Sequence, residues 1–312
     1  MPDQAIPTYI GLDIAKARLD YTIDDQRSAA VSNNPKGHAV LIDWLKQQLN
    51  PRVVCEATGG YERGVVAALL EAGIEVCVVQ PGRARAFAES EGLLAKTDHL
   101  DALLLRRYGK AVELRLAKAP DPLTVELRAL LDRRRDLIDR RIEIDNQLGT
   151  AVPTLAKWLE REQKFLRAEL EALEQEIARL IAQHPPLKQK HQRMQELQGC
   201  GPVLATTLLA YVPELGEVSD ATASALLGVA PYAKDSGKSP KPRHVRGGRS
   251  AARHVLYMAA VSAARSNPVL ALFYQRLLAA GKPPMVGLVA VMRKMVVVLN
   301  RLLADPNFSL AA

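Results

Sequence analysis

The chain has 312 residues, of which 48% are hydrophobic, 4% aromatic and 24% charged, and its formal net charge is +8. This length accommodates about two domains of roughly 100–200 residues, and the hydrophobic content excludes a wholly disordered chain. The scarcity of aromatic residues excludes a protein built mainly on base-stacking platforms, whereas the excess of cations suits a polyanionic partner.

The cysteines and the N-terminus bear on cellular location. Cys55, Cys77 and Cys200 form no C-x-x-C pair and no zinc-type cluster. Such sparse and odd cysteine usage is typical of a reducing compartment, and we expect a cytoplasmic, nucleoid-associated protein. No signal peptide is visible, and no apolar run reaches ~18 residues, so we expect no membrane partner.

Residues 1–115 predict alternating strands and helices in one domain. Three short strands fall within residues 8–31, and Pro35 opens a helix that extends to about Leu49. A strand (RVVCEA), a helix (61–72), a strand (IEVCVVQ) and two further helices follow. Three opening strands followed by crossover units are typical of an α/β RNase H-like sheet.

Four acids lie at the ends of these elements. Asp13 ends the strand YIGLD, Glu56 ends RVVCE, and Asp98 and Asp101 lie one turn apart at the start of the last helix. Open α/β sheets place their sites at the carboxyl ends of the strands, so we expect the four carboxylates to converge. Such a cluster needs a cation, and oxygen ligands favour Mg²⁺ or Mn²⁺. Taken singly, each acid is also compatible with a helix cap or a solvated side chain.

Residues 121–186 predict two long helices with coiled-coil spacing. Apolar residues recur at alternating intervals of four and three on both sides of Pro153, and Arg134 and Arg141 occupy two of the seam positions. An intramolecular hairpin and an arm that pairs with a second subunit both satisfy this spacing.

We expect residues 187–312 to be a mainly α-helical domain, and these residues carry the excess of positive charge. They contain 16 Lys and Arg against 6 Asp and Glu, whereas residues 1–186 contain 26 against 28. The segment LQGCGPVLA predicts a helix-hairpin-helix-like turn in which Gly199 and Gly201 present backbone N–H groups to a phosphate. The same two glycines are equally typical of helix caps.

The most basic segment is the loop GVAPYAKDSGKSPKPRHVRGGR, residues 228–249, which we call the serine loop. Its candidate phosphate ligands are Lys234, Lys238, Arg243, Arg246 and Arg249. Cations around Ser236 would stabilise the charge that develops when its hydroxyl attacks a phosphodiester. No general base is visible, and composition alone favours a basic loop without a fixed structure in which Ser236 is only a turn residue.

Five motifs in this order resemble the DEDD transposases of the insertion sequence one-ten family, which includes the Piv DNA invertases. They are GLDIAK (11–16), CEATGGY (55–61), KTDHLDA (96–102), LQGCGPVLA (197–205) and the serine loop. The resemblance extends from about residue 8 to about residue 300, and the acidic positions do not depart from the family pattern.

The resemblance implies a RuvC-like N-terminal domain whose acidic tetrad, Asp13, Glu56, Asp98 and Asp101, holds Mg²⁺. It implies a C-terminal transposase domain in which Ser236 attacks DNA and forms a transient phosphoserine link. It further implies donor and target DNA, a bridge RNA that pairs with both, and a homo-oligomer, dimer or tetramer, formed through the helical arm. In such an oligomer one active site can combine the acids of one subunit with the serine of another.

We therefore expect a site-specific DNA recombinase that moves its own insertion sequence by phosphoryl transfer. Two rival hypotheses stay open. One is a metal-dependent Holliday-junction-type nuclease that cleaves through activated water, without a covalent intermediate. The other is a non-catalytic nucleic-acid-binding protein in which the acids are structural.

Overall fold

A computed structural model of the chain describes residues 7–22, 24, 27–92, 98–119, 121–232 and 243–310, with side chains throughout except at residues 98–100. The chain divides into two compact units, Met1–Pro120 and Asp121–Ala312. The finer division of the second unit into an arm (121–186) and a transposase domain (187–312) stays a prediction.

The first unit alternates strands and helices in the predicted order. Its first helix begins at Pro35 but ends at Leu45 rather than near Leu49, because the chain turns at Asn50, with φ of 46°, to enter the next strand. The elements are β1 (Thr8–Ile14), β2 (Arg18–Thr22), β3 (Ser28–Ser32), α1 (Pro35–Leu45), β4 (Pro51–Glu56), α2 (Glu62–Glu71), β5 (Glu75–Val79), α3 (Pro81–Ser90) and α4 (Asp98–Ala111).

The five strands form one mixed sheet in the order β3-β2-β1-β4-β5. β1 pairs with β2 and β2 with β3 in antiparallel fashion, whereas the pairs β1–β4 and β4–β5 are parallel. Parallel neighbours need crossover connections, and α1 and α2 supply them. This is the strand order of an RNase H-like sheet, so the predicted α/β fold class is confirmed.

Each face of the sheet has its own hydrophobic cluster. On one face, residues such as Leu12 and Cys55 pack with side chains of α1 and α2. On the other face, Val54 and Cys77 pack with Leu105 of α4 and with a residue of α3. The sheet is therefore covered on both sides, and α4 lies on the side away from α1 and α2.

The second unit begins with a helical hairpin made of α5 (Pro122–Leu148) and α6 (Pro153–Gln183). Leu127 near the start of α5 shares a hydrophobic cluster with Ile177 near the end of α6. Ile144 near the end of α5 shares another with Leu159 near the start of α6. The two helices are therefore antiparallel, and they fill their apolar seam within one chain.

Shorter helices complete the second unit and share one hydrophobic cluster. Between Leu226 and Ser250, a two-stranded ribbon forms the described ends of the serine loop. The elements are α7 (Pro185–Gln195), α8 (Pro202–Tyr211), α9 (Asp220–Leu226), β6 (Pro231–Tyr232), β7 (His244–Val245), α10 (Ser250–Ser266), α11 (Pro268–Ala279) and α12 (Pro284–Ala304).

Among the described residues, no single helix is both long and apolar enough to cross a membrane. Helices α10 and α11 are long and apolar enough only when taken together, and they meet at an angle of 94°.

Candidate active site

Asp13 and Glu56 lie next to each other at the carboxyl ends of two parallel strands. β1 and β4 are in register through the pair Leu12 and Cys55, and each acid follows directly after its member of that pair. Side chains alternate between the faces of a strand, and Leu12 and Cys55 pack with α1 and α2. The two acids, both half-buried, therefore lie on the opposite face, which α4 covers.

Helix α4 approaches β1 so closely that only a glycine fits between them. A Cβ at Gly11 would lie 1.8 Å from the carbonyl oxygen of Ala102. Asp101 precedes Leu105 by one helical turn, and Leu105 is buried against the sheet, so both residues share one face of α4. This packing brings the half-buried Asp101 to the face of the sheet that carries Asp13.

The fourth predicted acid, Asp98, begins α4 one turn before Asp101, and its side chain lies outside the described residues. Carboxylate oxygens are the donors that Mg²⁺ and Mn²⁺ prefer, so the chemistry of the four acids suits the predicted ion. Among the side chains that the structure describes, no three His, Cys, Asp or Glu come close enough to hold a metal. The metal site therefore stays a prediction, and it requires the Asp98 carboxylate as well.

A fifth acid, Asp20, was not predicted from the sequence and lies beside Asp13. The two are partners across β1 and β2, and directly paired residues share one face of a sheet. Asp20 is only 8% exposed and accepts hydrogen bonds of 2.7–3.0 Å from two nitrogens of Arg18. Arg18 therefore neutralises the Asp20 carboxylate, on the face of the sheet that carries Asp13. The alternation in RLDYT indicates a face for Asp20, but only the strand register places it next to Asp13.

The turn after Glu56 is held by Glu62, which the sequence analysis also missed. The Glu62 carboxylate accepts hydrogen bonds from the N–H groups of Thr58 and Gly60, at 3.1 and 2.8 Å, and from the Thr58 hydroxyl. Burial would raise the pKa of Glu62, but the backbone N–H of Glu62 itself and these donors bring the pKa below its ordinary value. The turn therefore fixes the end of β4 and with it Glu56. An acid two residues after Gly59-Gly60, at a helix start, was the available signal.

The predicted nucleophile, Ser236, and the cations Lys234 and Lys238 lie outside the described residues. What the structure describes is the base of the serine loop on either side of them. There β6 and β7 pair antiparallel, with Tyr232 opposite His244. The two described ends of the loop are therefore held together.

Below this ribbon the chain crosses itself at two glycines. Gly228 and Gly248 have φ of 66° and 78°, which favour glycine, and a Cβ on Gly248 would lie 2.2 Å from the nitrogen of Gly228. Arg253 donates a hydrogen bond of 2.7 Å to the carbonyl of Gly247. The glycine crossing closes the serine loop at its base.

Two family models match this chain. A transposase model for the DEDD members of the IS110 family matches residues 10–155, and a model described as "Transposase IS116/IS110/IS902 family" matches residues 191–275. The chain belongs to the IS110 family of transposases. It is accordingly a DNA recombinase, an enzyme that cleaves and rejoins DNA. The first match contains all four predicted acids, and the second contains the serine loop.

Individual relatives extend over nearly the whole transposase. The pilin gene-inverting protein of Moraxella lacunata is 27% identical over 306 residues, which cover 93% of this chain and 94% of the relative. The corresponding protein of Moraxella bovis is 26% identical over the same shares. The solved structure of T. thermophilus RuvC in complex with a Holliday junction substrate aligns with 35% of this chain and 99% of its own, at 18% identity and a TM-score of 0.27.

Arg249, which was predicted as a phosphate ligand, contacts protein groups in the structure, and its phosphate role stays a prediction. Its guanidinium forms two hydrogen bonds of 2.6 Å with the Glu214 carboxylate and one of 2.8 Å with the Tyr211 carbonyl. Burial would raise the pKa of Glu214, but the Arg249 hydrogen bonds hold the pKa below its ordinary value. These contacts favour a structural role for Arg249, whereas Arg243 and Arg246 are exposed to solvent.

The two predicted glycines in the turn between α7 and α8 have different surroundings. Gly199 has φ of 105° and packs against α10, where a Cβ would lie 2.5 Å from the Cβ of Ala263. Gly201 directly precedes α8, and a Cβ added there would meet nothing within 4 Å. Packing against α10 therefore accounts for a glycine at position 199, whereas Gly201 is the glycine with open space for a phosphate. Phosphate binding by both glycines stays a prediction.

Proposed function

We propose that this transposase exchanges DNA strands through a covalent serine intermediate, at an acidic metal centre, in order to move its own insertion sequence. The observation that carries the proposal is the position of Asp13 and Glu56 at the carboxyl ends of adjacent parallel strands, under the helix that bears Asp101. Half-buried carboxylates at one sheet edge lower the stability of the fold unless a cation neutralises them. Metal-dependent phosphoryl transfer is the reaction that requires such a group of carboxylates.

In the proposed reaction the Ser236 hydroxyl oxygen attacks the scissile phosphorus. An oxygen–phosphorus bond to serine forms while the bond to the leaving strand breaks, and the serine proton ends on the leaving oxygen. The free hydroxyl of the incoming strand then attacks the phosphoserine, which restores the phosphodiester and the serine hydroxyl. Nearby cations, Lys234, Lys238, Arg243 and Arg246, would stabilise the charge that develops on phosphorus-bound oxygens.

The acids would orient the scissile phosphate for this attack. Without a cation, a phosphate is repelled by the four carboxylates of Asp13, Glu56, Asp98 and Asp101. Bound Mg²⁺ or Mn²⁺ would neutralise the carboxylates and the phosphate together. Gly11 and Glu62 act indirectly, since the first lets α4 approach β1 and the second holds the turn after Glu56.

Trapping of the covalent intermediate tests the serine. On a nicked suicide substrate with Mg²⁺, the wild-type protein should form a protein–DNA adduct that survives denaturing electrophoresis. Ser236→Ala should abolish the adduct and leave DNA binding unchanged. Ser239→Ala removes a hydroxyl from the same loop and serves as the matched control, with adduct formation as in the wild type.

The same assay separates the rival functions. Cleavage without any adduct would favour the water-activated nuclease, and it would refute the serine mechanism. Binding without cleavage, unaffected by Asp13→Asn, would favour the non-catalytic protein. Asp13→Asn should instead abolish both cleavage and the adduct, whichever divalent ion is supplied.

Guidance by a bridge RNA is part of the proposal and has its own test. The excess of Lys and Arg in residues 187–312, 16 against 6 acids, suits a protein that holds RNA and DNA together. Recombination of a donor and target plasmid should require RNA transcribed from the non-coding end of the element. Recombination at full rate in RNA-free reactions would refute guidance.

The arm supports the proposal of a homo-oligomer. Its tip exposes an apolar stripe on α6, where Leu155, Trp158 and Phe165 are 48%, 64% and 60% exposed. The arm carries 11 Lys and Arg against 13 Asp and Glu, so its charge does not favour nucleic acid as the partner of that stripe. A second copy of the chain carries the same stripe and would bury it in a symmetric contact.

Light scattering after gel filtration tests this interface. A Trp158→Ser/Phe165→Ser double variant should lower the molar mass from an oligomer toward a monomer. The exposed Val125, at the opposite end of the arm, supplies the control substitution Val125→Ser, which should leave the mass unchanged. An oligomer that persists in the double variant would refute the assignment to the arm tip.

A further inference from the structure

Two cations of the C-terminal helices converge on a single aromatic ring. The guanidinium carbon of Arg276 lies 5.6 Å from the centre of the Phe273 ring, and Nζ of Lys294 lies 4.7 Å from the same centre. The two charged groups are therefore at most about 10 Å apart. We call Arg276 and Lys294 the α11–α12 cation pair.

The crossing of two packed helices fixes this pair. Arg276 follows Phe273 by one turn of α11, and Lys294 comes from the exposed side of α12. Gly287 allows the helices to approach, because a Cβ there would lie 2.8 Å from the ring of Tyr274. The position of the pair thus depends on helices that are packed, and not on the conformation of a loop.

Folding does not neutralise these charges. In the part of the chain that the structure describes, neither Arg276 nor Lys294 forms an ion pair with a carboxylate, and both are exposed. Arg301 on the same α12, by contrast, is paired with Asp220 at 2.8 Å. Across residues 250–312 there are seven Lys and Arg against one acid, Asp305. Two like charges held on one ring are stabilised by a polyanion that contacts both.

We propose that the α11–α12 cation pair is a second phosphate contact for the DNA substrate, separate from the serine loop, and that it binds the duplex backbone without reading its sequence. A duplex carries one negative charge per ~1.7 Å of its axis, so phosphates can reach both groups at once. A point charge from lysine and a guanidinium fork both bind phosphate oxygens. The inference rests on the proposed function only in taking DNA as the polyanion.

Salt-dependent binding tests the pair in the full-length chain. The background is Ser236→Ala and the buffer contains EDTA, so that neither a serine nor a metal-activated water can cleave the DNA, and a failed serine mechanism leaves this measurement intact. Arg276→Gln/Lys294→Gln removes two charges. Arg140→Gln/Arg179→Gln removes two charges from the arm, where both arginines are paired with glutamates, and it serves as the matched control.

Binding of a fluorescent DNA duplex is measured by anisotropy at several NaCl concentrations. Each lost phosphate contact lowers the slope of log affinity against log salt by about 0.9, so the pair variant should lose about 1.8. This corresponds to a loss of affinity of about 60-fold at 0.1 M salt and almost none at 1 M. The loss should be equal for unrelated DNA sequences, and the control should keep the wild-type slope.

Three outcomes would overturn the inference. They are an unchanged slope in the pair variant, an equal loss in the control, and a loss confined to an RNA duplex of the same length.

Urea unfolding is compared among the proteins, and Phe273→Leu tests the contribution of the ring. That variant keeps both cations on their helices and should retain most of the slope if phosphate binding, and not the ring contact, is their role.

Discussion

The substitution Gly11→Ala tests whether the docking of α4 on β1 assembles the active site. The new Cβ would lie 1.8 Å from the Ala102 carbonyl oxygen and 2.8 Å from the backbone nitrogen of Arg106. Both are main-chain atoms of α4, so no change of side-chain rotamer can relieve the contact. Ordinary contacts measure about 3.5 Å, so α4 would have to move away from the sheet by about 1.7 Å.

This displacement has two calculable consequences. Overpacking of a core costs about 1–3 kcal/mol, and a clash with helix backbone belongs at the upper end, about 3 kcal/mol. Asp101 moves with α4 away from Asp13 and Glu56. A misplacement of about 1 Å at a reacting centre lowers the rate about 100-fold, so the recombination rate should fall by at least that factor.

The two effects are measured separately. Urea unfolding gives the loss of stability, and recombination of a donor and target plasmid is measured at a temperature at which the variant is fully folded. The matched control is Gly82→Ala in α3, where a Cβ meets nothing within 4 Å. Alanine is better than glycine in a helix by up to about 1 kcal/mol, so the control should be as stable as the wild type or slightly more stable, and fully active.

Two results would refute the reasoning. If Gly11→Ala unfolds at the wild-type urea concentration, α4 does not lie on β1 as described. If it is destabilised but recombines at the wild-type rate when folded, the docking of α4 supports the fold and has no part in the site.

Two further predictions concern the base of the serine loop. Because the pKa of Glu214 is lowered in the folded state, its ion pair with Arg249 stabilises the protein above the unfolded-state pKa, and this stability disappears as the pH falls through the folded value. Glu214→Gln should therefore lower the free energy of unfolding by about 1 kcal/mol at pH 7, a value kept small because more than a third of each side chain in the pair is exposed to solvent. Well below pH 4, where the carboxylate is protonated, the substitution should not change stability in urea unfolding. An equal cost at both pH values would exclude the ion pair as the cause. Gly248→Ala places a Cβ at a residue with φ of 78°, 2.2 Å from the nitrogen of Gly228, so it should lower the free energy of unfolding by more than about 1 kcal/mol and reduce adduct formation. The control Gly201→Ala should leave urea unfolding nearly unchanged. Equal effects of the two substitutions would contradict the glycine crossing.

The order and type of the elements in the first unit could be predicted from the sequence because local patterns determine them. Buried strands such as RVVCE, followed by a glycine turn and an amphipathic helix, indicate crossover units, and crossover units give parallel neighbours. The carboxyl-end positions of Asp13 and Glu56 follow from the same pattern. The heptads of the arm likewise predicted two paired helices.

What could not be predicted depends on register and on contacts between distant segments. Asp20 becomes a neighbour of Asp13 only through the pairing of β1 and β2, and a shift of one residue would turn it to the other face. Heptad spacing does not distinguish pairing within a chain from pairing between chains, whereas the structure shows α5 and α6 packed on each other. Arg249 was assigned to phosphate because it ends a basic loop, and its partner Glu214 lies 35 residues away.

The end of α8 shows why these distant contacts matter for a recombinase. The last carbonyl groups of a helix lack partners within the helix, and arginines from elsewhere can satisfy them. Arg128 of the arm donates to the Ala210 carbonyl at 2.9 Å, and Arg249 at the base of the serine loop donates to the Tyr211 carbonyl. The Tyr211 hydroxyl in turn donates to Asp132 of the arm. The arm and the base of the serine loop are therefore anchored on the same helix end, through the carbonyl groups of two adjacent residues.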